Sequence, residues 1–471
     1  MSNNKSQRGA RKIFRYIRWI VLVTIVLWLV NFCNRSFPII TGYAAKAMCS
    51  EIFLAGRNKV DVEKQDLSFF PISIASCVID KEDSSVTASI LGGWKQKAVF
   101  RNGIGSTLLH GINEDSFKKQ ADSFYRWQPI NADSIAWPMG DSLAISIPPS
   151  INKEKLDIAV NDFFNEDPKA SLKNTRALVI VYDRTIVAER YAKGFNKNSM
   201  LLGWSMGKSI ASAMMGILHK QGMVQVDEPA GLFLWKQNAT DDRNSITIKN
   251  ILQQSTGLQF EEVYTKRSDV TTMLYLQNDM ANFAAAHVLE KKPGTYFQYS
   301  SGNANLLSLL MRERLGEKRY HSFPYLALFN KLGMQHTLLE KDASGTFITS
   351  SYVYASARDW ARFGLLYLNK GMYNSEQLLD SAWIDKSFLP AKTDNFNRYG
   401  YQWWLNRGND SAGVFRMYPH APADMVYAGG FQGQNVFIIP SKKLVVVRLG
   451  LTEKADYRAD HSLQLLLKAM P

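Results

Sequence analysis

The sequence predicts an α+β fold in two lobes: an antiparallel sheet flanked by helices, plus an inserted helical lobe, preceded by one transmembrane helix. Three observations carry this. Strand-like runs joined by tight turns stand at both ends of the body, at 175–191 and 434–449. A mostly helical stretch from about 225 to 390 separates them. An apolar run follows a basic N-terminus. Strands from both ends with helices inserted between them make a sheet lobe and a helical lobe.

The N-terminus comes first. Lys5, Arg8, Arg11, Lys12, Arg15 and Arg18 stand without an acid before the apolar residues Trp19 to Cys33. With its flanks this run is just long enough to span a bilayer. The basic side predicts a cytoplasmic N-terminus and a body in the periplasm or outside the cell, so a single pass of the inner membrane. A cleaved signal peptide is the alternative. Against it, the nearest small-x-small site, Ala45-Lys46-Ala47, comes late, and Asn31-Phe32 before Cys33 is wrong for lipoprotein processing. The membrane contact is therefore assigned to residues 19–33 of an uncleaved anchor.

Residues 36 to about 140 are mixed and strand-like, as in Ser84 to Leu91. Pro148-Pro149 marks a break. Asn152 to Asn165 has helical apolar spacing through Leu156, Ile158, Ala159, Phe163 and Phe164. Thr175 to Tyr182 reads as a buried strand, Asp183-Arg184 as a turn, and Thr185 to Tyr191 as its partner. Ile210 to Leu218 is a continuous apolar run of a buried helix, and Ala357 to Leu368 is a second helix. Near the end, Gln434 to Ile439 and Leu444 to Leu449 flank a Pro440-Ser441 turn, and a last helix spans about Asp456 to Ala469. The chain thus divides into 1–35, basic N-terminus and anchor; 36–140, an extension without an assigned role; and 141–471, the main domain.

The formal net charge is +14, but much of it is the N-terminal flank and the rest is spread thinly. Without basic-aromatic clusters, a nucleic-acid partner is excluded. No Cys or His group has zinc-site spacing. Cys49 and Cys77 would lie in an oxidising compartment, where they could pair.

The most informative pair is Ser205 and Lys208, in Gly203-Trp204-Ser205-Met206-Gly207-Lys208-Ser209, directly before the apolar helix. Lys208 falls on the serine's helical face one turn on. A serine hydroxyl needs a base, and a lysine serves only if burial or a nearby cation holds it neutral. The helix N-terminus adds a field that favours an oxyanion. The same spacing at Ser2/Lys5, Ser116/Lys119 and Ser150/Lys153 leads into no such helix. The bland reading of Ser205 and Lys208 is a helix cap and a solvated lysine. A rival reading is the G-x-S-x-G elbow of α/β-hydrolases, with His461 as the later histidine. That elbow needs a hydrophobic strand before it, and Lys193 to Leu202 is a polar loop with a short apolar end.

Downstream, Pro293-Gly294 makes a turn and Leu306-Leu307 begins a helix, with Tyr299 between them. A tyrosine there relays protons if a lysine cation lowers its pKa. Taken together, Ser205-Met206-Gly207-Lys208, Tyr299-Ser300-Ser301, Ser255-Thr256-Gly257-Leu258 and Ala357-Arg358-Asp359-Trp360 resemble the serine β-lactamase-like superfamily. That superfamily includes class C β-lactamases, D-alanyl-D-alanine peptidases, esterases and nylon-oligomer hydrolases. The resemblance spans about Thr175 to Leu449 and sets the elbow aside.

The resemblance implies a β-lactamase-like fold and a serine hydrolase that passes through an acyl-enzyme, with no metal or cofactor. It implies catalytic roles for Ser205, Lys208 and Tyr299. Ser301 stands where the family has asparagine. The third family element, usually Lys-Thr-Gly or His-x-Gly, corresponds to Ala428-Gly429-Gly430 and lacks its cation. The implied oxyanion hole is the N–H of Ser205 with that of Phe431, and Ser301, Gly429 and Gly430 line the substrate. The substrate is then a small-molecule or peptide-like ester or amide. A non-turnover binding or sensor protein, or an envelope protein with a decayed site, stays open because of Ser301; oligomeric state is left open too.

Overall fold

The computed structural model describes residues 3–471 except 126–127, 129, 144–146, 168–171, 410, 412 and 453–456; for 3–13 it describes the backbone alone. The beginning of the expected last helix, Asp456, lies outside the described residues; the helix runs Ala459–Leu467.

Helix α1 spans Asn3–Phe53 without a break at residue 35. Its apolar side chains from Phe14 to Phe32 are exposed, and it is the one described helix long and apolar enough to cross a membrane. A signal sequence has the same length and composition. From Ile40 onward the helix enters the protein. Ile40, Ala44, Ala45, Met48 and Cys49 recur on one face and are buried, the stripe of a helix packed on a core.

That stripe covers a four-stranded antiparallel sheet, β1 (Ser76–Asp80), β2 (Ser85–Ile90), β3 (Gly93–Arg101) and β4 (Gly105–Leu109), in that order. Within residues 36–140, the end of α1 and this sheet thus form a helix-on-sheet layer. It is joined to the main body by a buried carboxylate, Glu340. Lys46 pairs with it, Ser50 Oγ donates to it at 2.9 Å, and the Ser106 amide at 2.7 Å. Such a buried pair is tolerable because its remaining lone pairs are satisfied. The cysteines are free thiols. Cys77 sits on the edge strand β1, while Cys49 packs against Ala98 of β3, two strands away. Two strand spacings are about 10 Å, beyond disulfide reach.

The main sheet is antiparallel. It comprises β5 (Thr175–Tyr182), β6 (Thr185–Tyr191), β12 (Trp404–Leu405), β13 (Val426–Gly430), β14 (Gln434–Ile439) and β15 (Leu444–Gly450), ordered β12-β13-β14-β15-β5-β6. The two expected hairpins meet where β15 pairs with β5, Val447 opposite Val179. Helix Ala357–Leu368 covers one face; Lys153–Phe164 and Ala459–Leu467 cover the other. Arg362 ties the covering helix to Asp141 at 2.7 Å.

The middle region is mostly helical, as expected, but also holds short strands. β7 (Leu201–Leu202), β8 (Thr337–Leu339) and β9 (Val353–Ala355) form a sheet ordered β7-β9-β8, and β10 (Met372–Tyr373) pairs with β11 (Glu376–Gln377). Two or three residues are too few for alternation to mark a strand in sequence.

Candidate active site

Ser205 lies in a single tight helical turn, Trp204–Met206, between β7 and helix Gly207–Lys220. Trp204 has φ +49°, a costly conformation for an aromatic residue. Close packing explains the glycines around it. A Cβ on Gly203 would stand 2.5 Å from the Trp360 ring, and one on Gly207 2.5 Å from the Thr349 carbonyl. β7 has two residues and pairs antiparallel with β9, so no strand–elbow–helix unit exists here. His461 faces Asp162 at 3.8 Å.

Lys208 is buried, and its Nζ donates to three acceptors: Ser205 Oγ at 2.9 Å, Ser301 Oγ at 3.0 Å and the Ser350 carbonyl at 3.3 Å. Burial lowers its pKa from 10.5 to about 8, against the opposing pull of Glu262. A lysine so placed can be neutral near physiological pH and accept the serine proton.

Tyr299 completes the group from the helical lobe. Lys208 Nζ stands 4.7 Å from its ring centroid. The ring stacks on Trp404 at 5.2 Å and meets Tyr399 edge-on at 5.8 Å. Gln254 fixes this loop, accepting from the Ser300 amide at 3.1 Å and from Asn303 Nδ2 at 2.7 Å. The expected lowering of the Tyr299 pKa is not found. Burial raises it, Glu262 adds to that, and the Ser205 hydroxyl alone opposes. The lysine lies over the ring face, and desolvation of the phenolate wins.

Ser301 bridges Lys208 to a group that sequence reading missed. Its Oγ donates to Glu262 Oε1 at 2.5 Å, and its amide donates to Glu262 Oε2 at 2.8 Å. Tyr264 Oη donates to the same carboxylate at 3.2 Å. Glu262 stands at the N-terminus of helix Ser301–Phe323, where a negative charge is favoured. Its only sequence signal was position: Phe260-Glu261-Glu262-Val263-Tyr264 stands one residue after Ser255-Thr256-Gly257-Leu258.

The strand opposite is β13. A Cβ on Gly430 would stand 2.2 Å from the Gly203 carbonyl. Only glycine permits that approach, which brings Gly429-Gly430-Phe431 alongside the serine turn. The Phe431 ring is partly exposed, stacks on Tyr264 at 5.7 Å and meets Trp204 edge-on at 5.5 Å. Arg448 holds the following turn, donating to the carbonyls of Gln432 at 3.3 Å and Gly433 at 2.8 Å. Arg398 donates to the Phe415 carbonyl at 2.8 Å. A cleft of about 1200 Å³ runs from Gly430 and Phe431 towards Phe69, Phe70, Lys64 and Lys193.

The fold thus sets a serine beside a buried lysine, Lys208 Nζ 2.9 Å from Ser205 Oγ. The β-lactamase family profile matches residues 169–468, and the chain belongs to that family. It is a serine hydrolase of the β-lactamase-like superfamily. The chain is 23% identical over 312 residues to a 6-aminohexanoate-dimer hydrolase of Paenarthrobacter ureafaciens, covering 62% of this chain and 76% of the relative. Among solved structures it is similar to a candidate 6-aminohexanoate-dimer hydrolase from Bacillus anthracis (18% identity, TM-score 0.53, 87% of this chain and 96% of the other). It is also similar to a family VIII carboxylesterase (12% identity, TM-score 0.54, 69% and 99%). The first structural likeness reaches well beyond residues 169–468, into the extension.

Proposed function

We propose that the protein is a membrane-anchored hydrolase that cleaves uncharged esters or linear amides through an acyl-enzyme on Ser205. The observation that carries this is the buried Lys208 ammonium, 2.9 Å from Ser205 Oγ and with its pKa lowered to about 8. Neutral Lys208 takes the Ser205 proton as Oγ bonds to the carbonyl carbon. The N–H groups of Ser205 and Phe431 hold the oxyanion, an effect usually worth a few kcal/mol. Tyr299, kept protonated by burial, hands a proton to the departing alkoxide or amine and is reprotonated from Lys208. Water then repeats the sequence on the ester and frees the acid. Ser301 and Glu262 position the lysine.

Two features support a substrate with no carboxylate beside the scissile bond. Ala428-Gly429-Gly430 carries no cation, and a buried carboxylate left unpaired costs several kcal/mol. The partly exposed Phe431 ring, packed on Trp204 and Tyr264, lines the cleft beside the serine turn. The relative's name, a hydrolase of a 6-aminohexanoate dimer, agrees with cleavage of a linear amide; that dimer's own carboxylate and ammonium stand at its far ends, five methylenes from the scissile amide.

The anchor reading is supported by what cleavage would remove. Lys46, Tyr43 and Thr41 all precede Ala47, and each is tied into the body, Tyr43 by stacking under Trp204 at 6.2 Å. From Trp19 to Cys33 the helix rises about 21 Å, and its flanking residues carry it towards the roughly 30 Å of a hydrocarbon core. The domain then lies in the periplasm or outside the cell.

The test is a fluorophosphonate probe combined with turnover of p-nitrophenyl butyrate and nitrocefin. Labelling with turnover, lost in Ser205→Ala, is expected, with kcat/KM favouring the butyrate. Labelling without turnover makes the protein a sensor, no labelling makes the site a decayed one, and a clear preference for nitrocefin overturns the substrate reading.

A further inference from the structure

The extension 36–140 has an exposed hairpin whose placement follows from its register against α1. Thr41 Oγ1 donates to the Trp94 carbonyl at 2.8 Å. Cys49 Sγ lies 3.6 Å from the Ala98 carbonyl, and Phe53 stacks on Phe100 at 5.8 Å. From Thr41 to Phe53 the helix rises about 18 Å. From Trp94 to Phe100 the strand rises about 20 Å. β3 therefore runs beside α1 in the same direction. The β2–β3 turn, Leu91-Gly92, projects back along α1 towards the exposed apolar segment, about two residues or 6 Å beyond Trp94. The Trp94 side chain reaches the same way: its Nε1 donates to Asn34 Oδ1 at 2.8 Å, and Phe37 meets its ring edge-on at 4.9 Å. The turn thus stands about level with Phe37, and the Trp94 indole reaches Asn34, one residue past the end of the apolar run.

The residue at that tip is anomalous for a turn in water. Leu91 and Gly92 have φ +51° and +77°, the two positive values of a tight hairpin turn whose first position favours Asn, Asp or Gly. A leucine there bears conformational cost, and its side chain is 96% exposed. Trp94 beside it is an indole at the level where membrane proteins concentrate tryptophan. Arg35, exposed, follows the end of the apolar run by two residues, where cations meet lipid phosphates.

From these observations we infer that the Leu91-Gly92 hairpin tip is a second membrane contact, seated in the headgroup layer of the bilayer that α1 crosses. This rests on the anchor reading above. Two contacts fix the tilt of the domain, where a helix alone would leave it free to lean. Tyr43, stacked under Trp204, is ten residues beyond Cys33, about 15 Å along the axis. The serine turn is then held close over the membrane surface, within reach of substrates dissolved at that interface.

The experiment uses the full chain in phosphatidylcholine vesicles carrying a spin label at the shallow 5-position of an acyl chain. In a Cys33→Ser background the buried Cys49 and Cys77, their thiols both pushed up to about 12 by burial, stay unlabelled. An environment-sensitive fluorophore is placed at Leu91→Cys, at Glu82→Cys on the far end of the hairpin, and at Val26→Cys within the apolar run. The expected result is blue-shifted emission and at least twofold stronger quenching at 91 than at 82, with 26 also in lipid. If 26 is in lipid while 91 matches 82, the second contact is overturned and the anchor stands. If 26 is in water, the anchor reading and this inference both fall.

Discussion

Replacing Lys208 by methionine should make the protein more stable while removing its activity. The side chain is buried, and burial holds its pKa near 8 against 10.5 unfolded. Each tenfold in proton affinity is worth about 1.4 kcal/mol, so holding the ammonium charged in this site costs about 3 kcal/mol. Below pH 8 both states carry the proton and the folded protein bears the whole cost. Between 8 and 10.5 the unfolded chain still binds a proton that the folded chain has released, so wild-type stability rises with pH there. Methionine has similar volume and no charge. It leaves the Ser350 carbonyl without its Lys208 donor, costing about 1 kcal/mol, while Ser301 keeps Glu262 as an acceptor. The expected gain is about 2 kcal/mol at pH 6, falling to near zero at about pH 9.5. Urea unfolding of the full chain in detergent, followed by tryptophan fluorescence for both proteins across that range, reads the difference, and other titrating groups cancel in it. Turnover should fall at least about a hundredfold. A variant no more stable at pH 6, or a difference flat with pH, would refute the claim that burial drives this lysine towards neutrality.

Further outcomes follow from the same geometry. In the wild type, kcat/KM should climb with pH through a midpoint near 8, as Lys208 becomes neutral. Glu262 raises that pKa, so Glu262→Gln should move the midpoint to lower pH; an unmoved midpoint separates Glu262 from the lysine. Tyr299→Phe should slow substrates with poor leaving groups by about a hundredfold or more and spare activated esters; equal rates on both would end its role as proton donor. A reporter fused after Pro471 that functions only in the periplasm should be active and its cytoplasmic counterpart silent, and the reverse pattern would invert the topology drawn from the basic N-terminus.

The sequence alone determined the parts of this protein set by local pattern. A serine and a lysine three residues apart, leading into Ile210 to Leu218, fix one face of one buried helix by helical periodicity. β5, β6, β14 and β15 were legible because each is long enough to alternate or to run apolar between turn residues. The apolar stretch after six basic residues is similarly local. Tertiary structure decided what depends on distant segments meeting. Glu262 looks like any surface acid in sequence. It becomes part of the site only because its loop folds onto the start of helix Ser301–Phe323, 2.5 Å from Ser301. The direction of the Tyr299 shift also needed three dimensions, since the sequence cannot say whether a lysine meets the ring's hydroxyl or its face. The extension 36–140 gave no role in sequence because its contacts, Lys46 and Ser106 on Glu340 and Tyr43 under Trp204, join residues far apart along the chain. The hairpin tip at Leu91 is legible in sequence as a turn. That it stands within about 6 Å of the end of the apolar run follows only from the packing of β3 along α1.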